Sequence, residues 1–204
     1  MFKKIKIPLL IFVYTAVVLA ALFCICTLYQ ENACLKQDLQ KSQEEATQLK
    51  EELIKINRFS EIYQTSPQIV AVVLRESEKY EITPTIMLEL IKTESDFNPR
   101  AVSKFGARGL CQIRPVTAKE LSQELKVSYG ENHLFDTNYN ISLGTYYLAK
   151  LLHSNNGDYH RALTAYNRGP RGLEIYMKNK GTSVSRYSQR IKSKSRQLAL
   201  QIAG

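Results

Sequence analysis

The stretch 94–115, ESDFNPRAVSKFGARGLCQIRP, holds the residue types most able to do chemistry. Glu94 follows Leu90 by four positions and Ile91 by three, so it falls on or beside the apolar stripe of a helix. Near a helix C-terminus the macrodipole disfavours another negative charge, and partial burial does the same; both raise a carboxyl pKa. A Glu held protonated near neutral pH is a general acid. By position alone Glu94 reads more readily as a surface carboxylate at a fraying helix end; its neighbours change that. Gly106 and Gly109 permit tight turns and a close approach to the backbone. Ser103 and Gln112 offer hydrogen bonds without charge, as sugar hydroxyls and N-acetyl groups require. The layout suits acid chemistry on a neutral polymer such as a glycan, and suits phosphate or metal binding poorly.

Further along, 165–170 reads AYNRGP. It puts an aromatic, Tyr166, and an amide, Asn167, at a helix end before a Gly-Pro turn. Tyr166 is suited to hydrogen-bond a carboxyl, to stack on a sugar, or simply to fill a core. The four cysteines are Cys24, Cys26, Cys34 and Cys111, with no CxxC pair and no Cys/His spacing of the zinc kind, so no metal and no organic cofactor is expected. Cys111 reads as a small packed residue. The net charge is +9, and from position 160 onward ten Lys and Arg residues face a single acid, Glu174. Such a surface attracts polyanions, or is a solvated basic helix. Nucleic acid is not expected as a partner, because the front of the chain reads as a membrane segment.

The elements that must position these residues are helical. Ser66-Pro67 and Thr83-Pro84 each read as an N-cap followed by Pro at the first helical position. Pro115 opens a third helix, Asp136 caps a fourth, and Asp158 caps a fifth that ends near Tyr166. Gly169-Pro170 breaks it, a further helix carries Leu173 and Tyr176, and the last runs from about Ser185 to Ile202. Asn98-Pro99 is expected to end the helix that carries Glu94. Alternating strand patterns are few, with a small extended piece between Ala101 and Ile113. The fold class is therefore mainly α, with about 140 residues in the helical domain, enough for its own core.

Ahead of that domain, 7–29 is uncharged and apolar, long enough to span a bilayer, which takes about 20 residues. Lys3, Lys4 and Lys6 precede it and Glu31 follows, which orients 1–6 to the cytoplasm and the rest outside. An uncleaved anchor is expected over a cleaved signal peptide, since no small-x-small cleavage site stands out. Residues 30–58 form a helical stalk: Leu35, Leu39, Ser42, Ala46, Leu49, Leu53 and Ile56 recur at alternating steps of four and three. That seam fits either a coiled coil pairing two copies as a homodimer or a lone spacer of roughly 40 Å at 1.5 Å per residue. The catalytic unit is placed at 62–204.

Taken together, the motif residues resemble the soluble lytic transglycosylase family, whose catalytic domain is goose-lysozyme-like. The match runs through Glu94, Ser95, Asn98, Pro99, Ala101, Val102, Ser103, Gly106, Ala107, Gly109, Leu110, Gln112, Ile113, Pro115, Thr117 and Ala118. A second block comprises Asn140, Gly144, Tyr147, Leu148 and Leu151. A third comprises Ala165, Tyr166, Asn167, Gly169 and Pro170, and Tyr187 with Ile191 is a fainter fourth. The resemblance covers roughly 66–191 and says nothing of anchor or stalk. It implies a lysozyme-like helical domain behind the transmembrane helix and stalk, with peptidoglycan glycan strands as substrate. Glu94 would be the single acid/base, cutting between N-acetylmuramic acid and N-acetylglucosamine to leave a 1,6-anhydro end. Ser103, Gln112, Tyr166 and Asn167 occupy substrate-contacting or Glu-orienting positions, and Tyr147 and Arg114 join them as substrate contacts. With the anchor, the expected location is the bacterial inner membrane with the catalytic unit in the periplasm.

Ordinary glycosidases pair two carboxylates across the scissile bond. Here Asp96 points to a different helix face from Glu94, and no second acid falls in the matched blocks. One acid suffices if the substrate's own N-acetyl group stabilises the positive charge. The sequence departs from the family pattern at Cys111 and Arg114, which stand where Met is usual, and at Arg168, where a small residue is usual. A guanidinium close to Glu94 would lower its pKa. The alternatives are a hydrolytic muramidase and a non-catalytic wall-binding scaffold.

Overall fold

The computed structural model describes residues 7–203, with side chains for 10–200. The chain divides into two compact units, Met1–Lys55 and Ile56–Gly204. Lys3, Lys4 and Lys6, on which the orientation expectation rests, lie outside the described residues.

One helix, α1 (Ile7–Tyr63), runs without a break from the apolar segment through the stalk. Among the described residues it is the one helix long and apolar enough to cross a membrane, with Leu10, Phe12, Leu19 and Phe23 exposed along it. In the first unit the stalk leucines Leu35, Leu39, Leu49 and Leu53 are exposed as well. No turn separates anchor from stalk, because no Pro or Gly interrupts 9–63.

The second unit opens with the last turns of α1, where Phe59 and Tyr63 are buried. Seven further α-helices follow: α2 (Pro67–Lys79), α3 (Pro84–Ser95), α4 (Pro115–Leu125), α5 (Thr137–Ser154), α6 (Tyr159–Arg168), α7 (Pro170–Lys180) and α8 (Arg186–Ala203). Four of them carry Pro in the first turn, where its missing N–H costs nothing. Ser66 accepts from the Ile69 N–H, and Asp136 and Asp158 accept from Tyr139 and His160 in the same way. Thr83 makes no such cap bond; its backbone N–H donates to the Tyr159 hydroxyl instead.

The α5 helix sits at the middle, packing on α2, α4 and α6, while α8 packs across α3 and α6. The core between them holds Val70, Met87, Leu90, Ile91, Leu110, Ile141, Leu148, Leu163 and Ile191, all fully buried. Each such Leu or Ile contributes about 1.5–3 kcal/mol relative to exposure. Two buried hydroxyl pairs fix α8 in place: Thr85 with Ser195 at 2.7 Å and Thr164 with Ser185 at 2.8 Å. A short 3-10 helix, Glu131–Phe135, which the apolar pattern did not announce, leads into α5.

The expected extended piece is present as two isolated antiparallel bridges, Val102 with Arg108 and Arg108 with Ile113. One expectation is corrected. α3 stops at Ser95, not at Asn98-Pro99: Asp96 (φ 50°) and Phe97 (φ 61°) both turn left-handed, and the Asp96 N–H closes the helix on Lys92 O. Left-handed backbone is uncommon for a residue as bulky as Phe. Its ring packs edge-on against Tyr63, with centroids 5.8 Å apart, and that contact offsets the strain.

Candidate active site

The buried stripe of α3, through Met87, Leu90 and Ile91, leaves Glu94 on the last turn and half-buried. Burial raises its pKa above the usual carboxylate range. One hydrogen bond opposes that shift: the Tyr187 hydroxyl, from α8, donates to Glu94 Oε1 at 2.6 Å. Arg114, whose guanidinium was considered from sequence as a possible influence, is exposed, and burial and Tyr187 are what shift the Glu94 carboxyl.

Opposite Glu94 the loop 101–113 folds back on itself. Arg108 and Ile113 exchange backbone hydrogen bonds of 3.0 and 3.1 Å, Ser103 N donates to Ala107 O, and Gly109 N donates to Ala101 O. Gly109 has φ +75°, and a Cβ there would lie 2.1 Å from Leu134 O and 2.3 Å from Asn140 Nδ2, so only glycine fits. Gln112 is itself left-handed, and its Nε2 donates to Ala101 O and Gly109 O. The amide nitrogen thus holds the loop, and the amide oxygen is the half left for a ligand. Ser103 Oγ accepts from the Phe105 and Ala107 N–H groups, which leaves its O–H free to donate elsewhere.

The loop is bolted to the core by Asn140, which is 1% exposed. Its Oδ1 accepts from Cys111 N at 2.7 Å, and its Nδ2 donates to Arg108 O and Leu134 O. Cys111 is fully buried against Gly144, where a Cβ would meet its sulfur at 2.5 Å. Burial, with Glu94 nearby, pushes its thiol pKa up, so it stays a neutral thiol.

Tyr166, weighed from sequence as a partner for a carboxyl, donates instead to the Cys111 carbonyl at 2.9 Å. Its ring leans on Tyr147, with centroids 5.2 Å apart. The phenol that reaches Glu94 belongs to Tyr187, a residue noted only as a faint motif match. Its signal in sequence was the Tyr187/Ile191 spacing, which puts the tyrosine one turn before a buried anchor on α8.

Glu94, Ser103, Gln112, Arg114, Tyr147, Tyr166 and Asn167 all line one cavity of about 380 Å³. Phe105, 72% exposed, and Arg168 also border it; neither had been singled out for a role from sequence. Glu94 is the sole acid in that lining, which also holds Arg114 and Arg168. Asp96 is exposed and does not border the cavity. Among the described residues no group of three or more His, Cys, Asp or Glu side chains is placed to hold a metal.

The site thus sets one half-buried Glu at a helix end against a Gly-turned loop and an aromatic wall. The transglycosylase SLT domain model matches residues 71–188, and the chain belongs to that family. It is 36% identical over 131 residues to membrane-bound lytic murein transglycosylase C of Edwardsiella ictaluri, a match covering 57% of this chain and 36% of that protein. Against the Serratia proteamaculans protein of the same description it is 36% identical over 107 residues, 48% of this chain and 30% of the other. The chain thus spans about a third of the length of the curated relatives it matches. Among solved structures, the 70 kDa soluble lytic transglycosylase of Escherichia coli superposes with a TM-score of 0.55 at 23% identity, over 61% of this chain and 23% of that one. An inactive glutamate-to-glutamine mutant of lytic transglycosylase Slt from Pseudomonas aeruginosa gives 0.57 at 26% identity, over 65% and 24%. The lysozyme-like helical fold expected from the motifs is the fold of these proteins.

Proposed function

We propose that this protein is a membrane-anchored lytic transglycosylase that cleaves the β-1,4 bond between N-acetylmuramic acid and N-acetylglucosamine in peptidoglycan, with Glu94 as its single acid/base. The observation that carries the reading is the cavity of about 380 Å³ with one carboxyl, raised in pKa by burial, and no second acid in its lining. Protonated Glu94 gives its proton to the glycosidic oxygen as the C1–O bond breaks, and the N-acetylglucosamine end leaves as a free hydroxyl. The carboxylate then takes the proton of the muramoyl C6 hydroxyl as that oxygen bonds to C1. Glu94 ends protonated, and a 1,6-anhydro ring forms with no water consumed. A buried acid of raised pKa suits the first step, and the Tyr187 hydrogen bond suits the ionised form between the two.

In this reading the Ser103 hydroxyl, the Gln112 amide oxygen and Asn167 bind sugar polar groups. Tyr147 and Tyr166 form the apolar wall, and Arg114 meets an anionic group of the substrate. Support also comes from the relatives, which are called lytic murein transglycosylases, and from the Pseudomonas Slt variant, described as inactive with Glu replaced by Gln. The apolar part of α1 would cross the inner membrane, with 1–6 in the cytoplasm and the second unit in the periplasm, as the lysines before it favour. Unpartnered leucines along the stalk suit pairing with a second copy.

Digestion of purified sacculi by the 204-residue chain tests the assignment. Anhydro-muropeptides should accumulate by mass spectrometry, and Glu94→Gln should abolish them. Reducing-end muramic acid as the only product would instead make the enzyme a hydrolytic muramidase, and binding without cleavage would make it a scaffold.

A further inference from the structure

The exposed leucines of the stalk belong to a pattern that fixes more than a tendency to pair. Leu35, Leu39, Leu49 and Leu53 lie on one seam of α1, at the alternating four- and three-residue steps of a heptad, with Ser42 and Ala46 between them. Continued backward by the same steps, the seam reaches Asn32, Leu28 and Ile25, all exposed. Leu39, Ala46 and Leu53 then take a positions and Leu35, Ser42 and Leu49 take d. Asn32 is the one polar residue at an a position of the stalk. The residues flanking the seam are sorted by charge. Glu31, Asp38, Glu45 and Glu52 hold the four g positions of the stalk, every one an acid. Lys36, Gln43 and Lys50 hold the e positions between them, none an acid. All seven are exposed, and none makes an ion pair among the described residues.

In a parallel pair of helices in register, each g residue faces the e residue five positions on in the other copy. Glu31 then meets Lys36, Asp38 meets Gln43 and Glu45 meets Lys50, with no like charges opposed. In an antiparallel pair g faces g and e faces e, which sets acid against acid and Lys against Lys. Asn32 adds a register. Its Nδ2 donates to Leu28 O at 3.0 Å, which leaves the second N–H and the amide oxygen for Asn32 of another copy. A slip of one heptad would set that amide against Leu39 or Ile25 and bury it without a partner. We propose that α1 pairs with α1 of a second copy as a parallel, in-register, two-stranded coiled coil, with Asn32 bonded to Asn32 just past the apolar segment. This deepens the stalk pairing proposed above and rests on it. Two anchors that enter one membrane from the same side also run parallel, the direction that the charges favour.

The test uses the 204-residue chain in detergent with Cys24→Ser, Cys26→Ser and Cys34→Ser, Cys111 being buried. Single cysteines are then added for disulfide trapping. Leu35→Cys and Leu49→Cys, two heptads apart on the seam, should each cross-link to the same position of a second copy under mild oxidation. Glu44→Cys, on the opposite face, should do so roughly tenfold less, because its Cβ atoms are held too far apart. Charge reversal gives a second reading. Lys36→Glu with Lys50→Glu should weaken self-association by roughly tenfold or more, as should Glu31→Lys with Glu45→Lys. Mixing the two variants should restore pairing, since each g acid again meets an e lysine and each g lysine an e acid. A single-copy mass by sedimentation overturns the stalk pairing and this inference together. A dimer that fails to cross-link at Leu35 and Leu49, that cross-links equally at Glu44, or whose reversed variants do not recover on mixing overturns the parallel register alone.

Discussion

The Tyr187 hydroxyl on α8 donates a 2.6 Å hydrogen bond to Glu94 Oε1 on α3, across 93 positions of sequence. Burial raises the Glu94 pKa and this bond lowers it. Removing the donor with Tyr187→Phe should therefore raise the pKa further. The alkaline limb of kcat/KM against pH, where the acid loses its proton, should move to higher pH, and kcat should fall by roughly tenfold through loss of positioning. A purely structural role for Tyr187 would lower activity and leave the limb where it is.

A raised acid pKa also acts on stability. The folded state holds the Glu94 proton more tightly than the unfolded chain, so its contribution is fully present below the unfolded carboxyl pKa and is lost as pH rises through the folded one. Glu94→Gln cannot ionise. Its melting midpoint should exceed that of the parent at neutral and alkaline pH, and the two should converge in acid. Glu89, likewise raised by burial, is present in both proteins and cancels from the difference. A gap that widens toward acid would contradict this account.

Asn140 ties three backbone groups of the loop and the 3-10 helix to α5. With Asn140→Ala, the buried Cys111 N–H and the Leu134 carbonyl lose their partner, at about 1–3 kcal/mol for each group left unsatisfied, while the Arg108 carbonyl keeps the Ile113 N–H. Chemical denaturation should show a loss of at least roughly 2 kcal/mol. Asn140→Asp should not rescue it, since a carboxylate cannot donate to the two carbonyls.

Arg114 is exposed and borders the cavity, while burial and the Tyr187 hydrogen bond are what shift the Glu94 carboxyl. Arg114→Met should raise KM for glycan several-fold, the worth of about one charge-assisted contact, without moving the pH profile. A shifted alkaline limb in this variant would mean that the guanidinium reaches the acid after all.

Much of the helical frame was legible because its punctuation is local. Ser66-Pro67, Asp136 and Asp158 mark helix starts through groups within three residues of one another. Gly106 and Gly109 likewise marked tight turns, and both have φ +75°. The end of α3 was misread, because Asp96 and Phe97 turn left-handed without glycine and are held there by a distant ring, Tyr63. The same limit applies to the site. Which tyrosine meets Glu94 depends on how α8 crosses α3, a tertiary fact with no local signature. Tyr166 was the nearer candidate in motif terms, yet its hydroxyl is committed to the Cys111 carbonyl.

The order in which α3 and α8 leave the ribosome has its own consequence. Glu94 is synthesised long before Tyr187, and the two buried hydroxyl pairs that hold α8, at Ser185 and Ser195, come from the same late segment. A nascent chain that has emerged only through Pro170 carries the acid but not the phenol that orients it. Assembly of a working centre is thereby deferred until the α8 segment has been made, and a product terminated before Tyr187 is left without it.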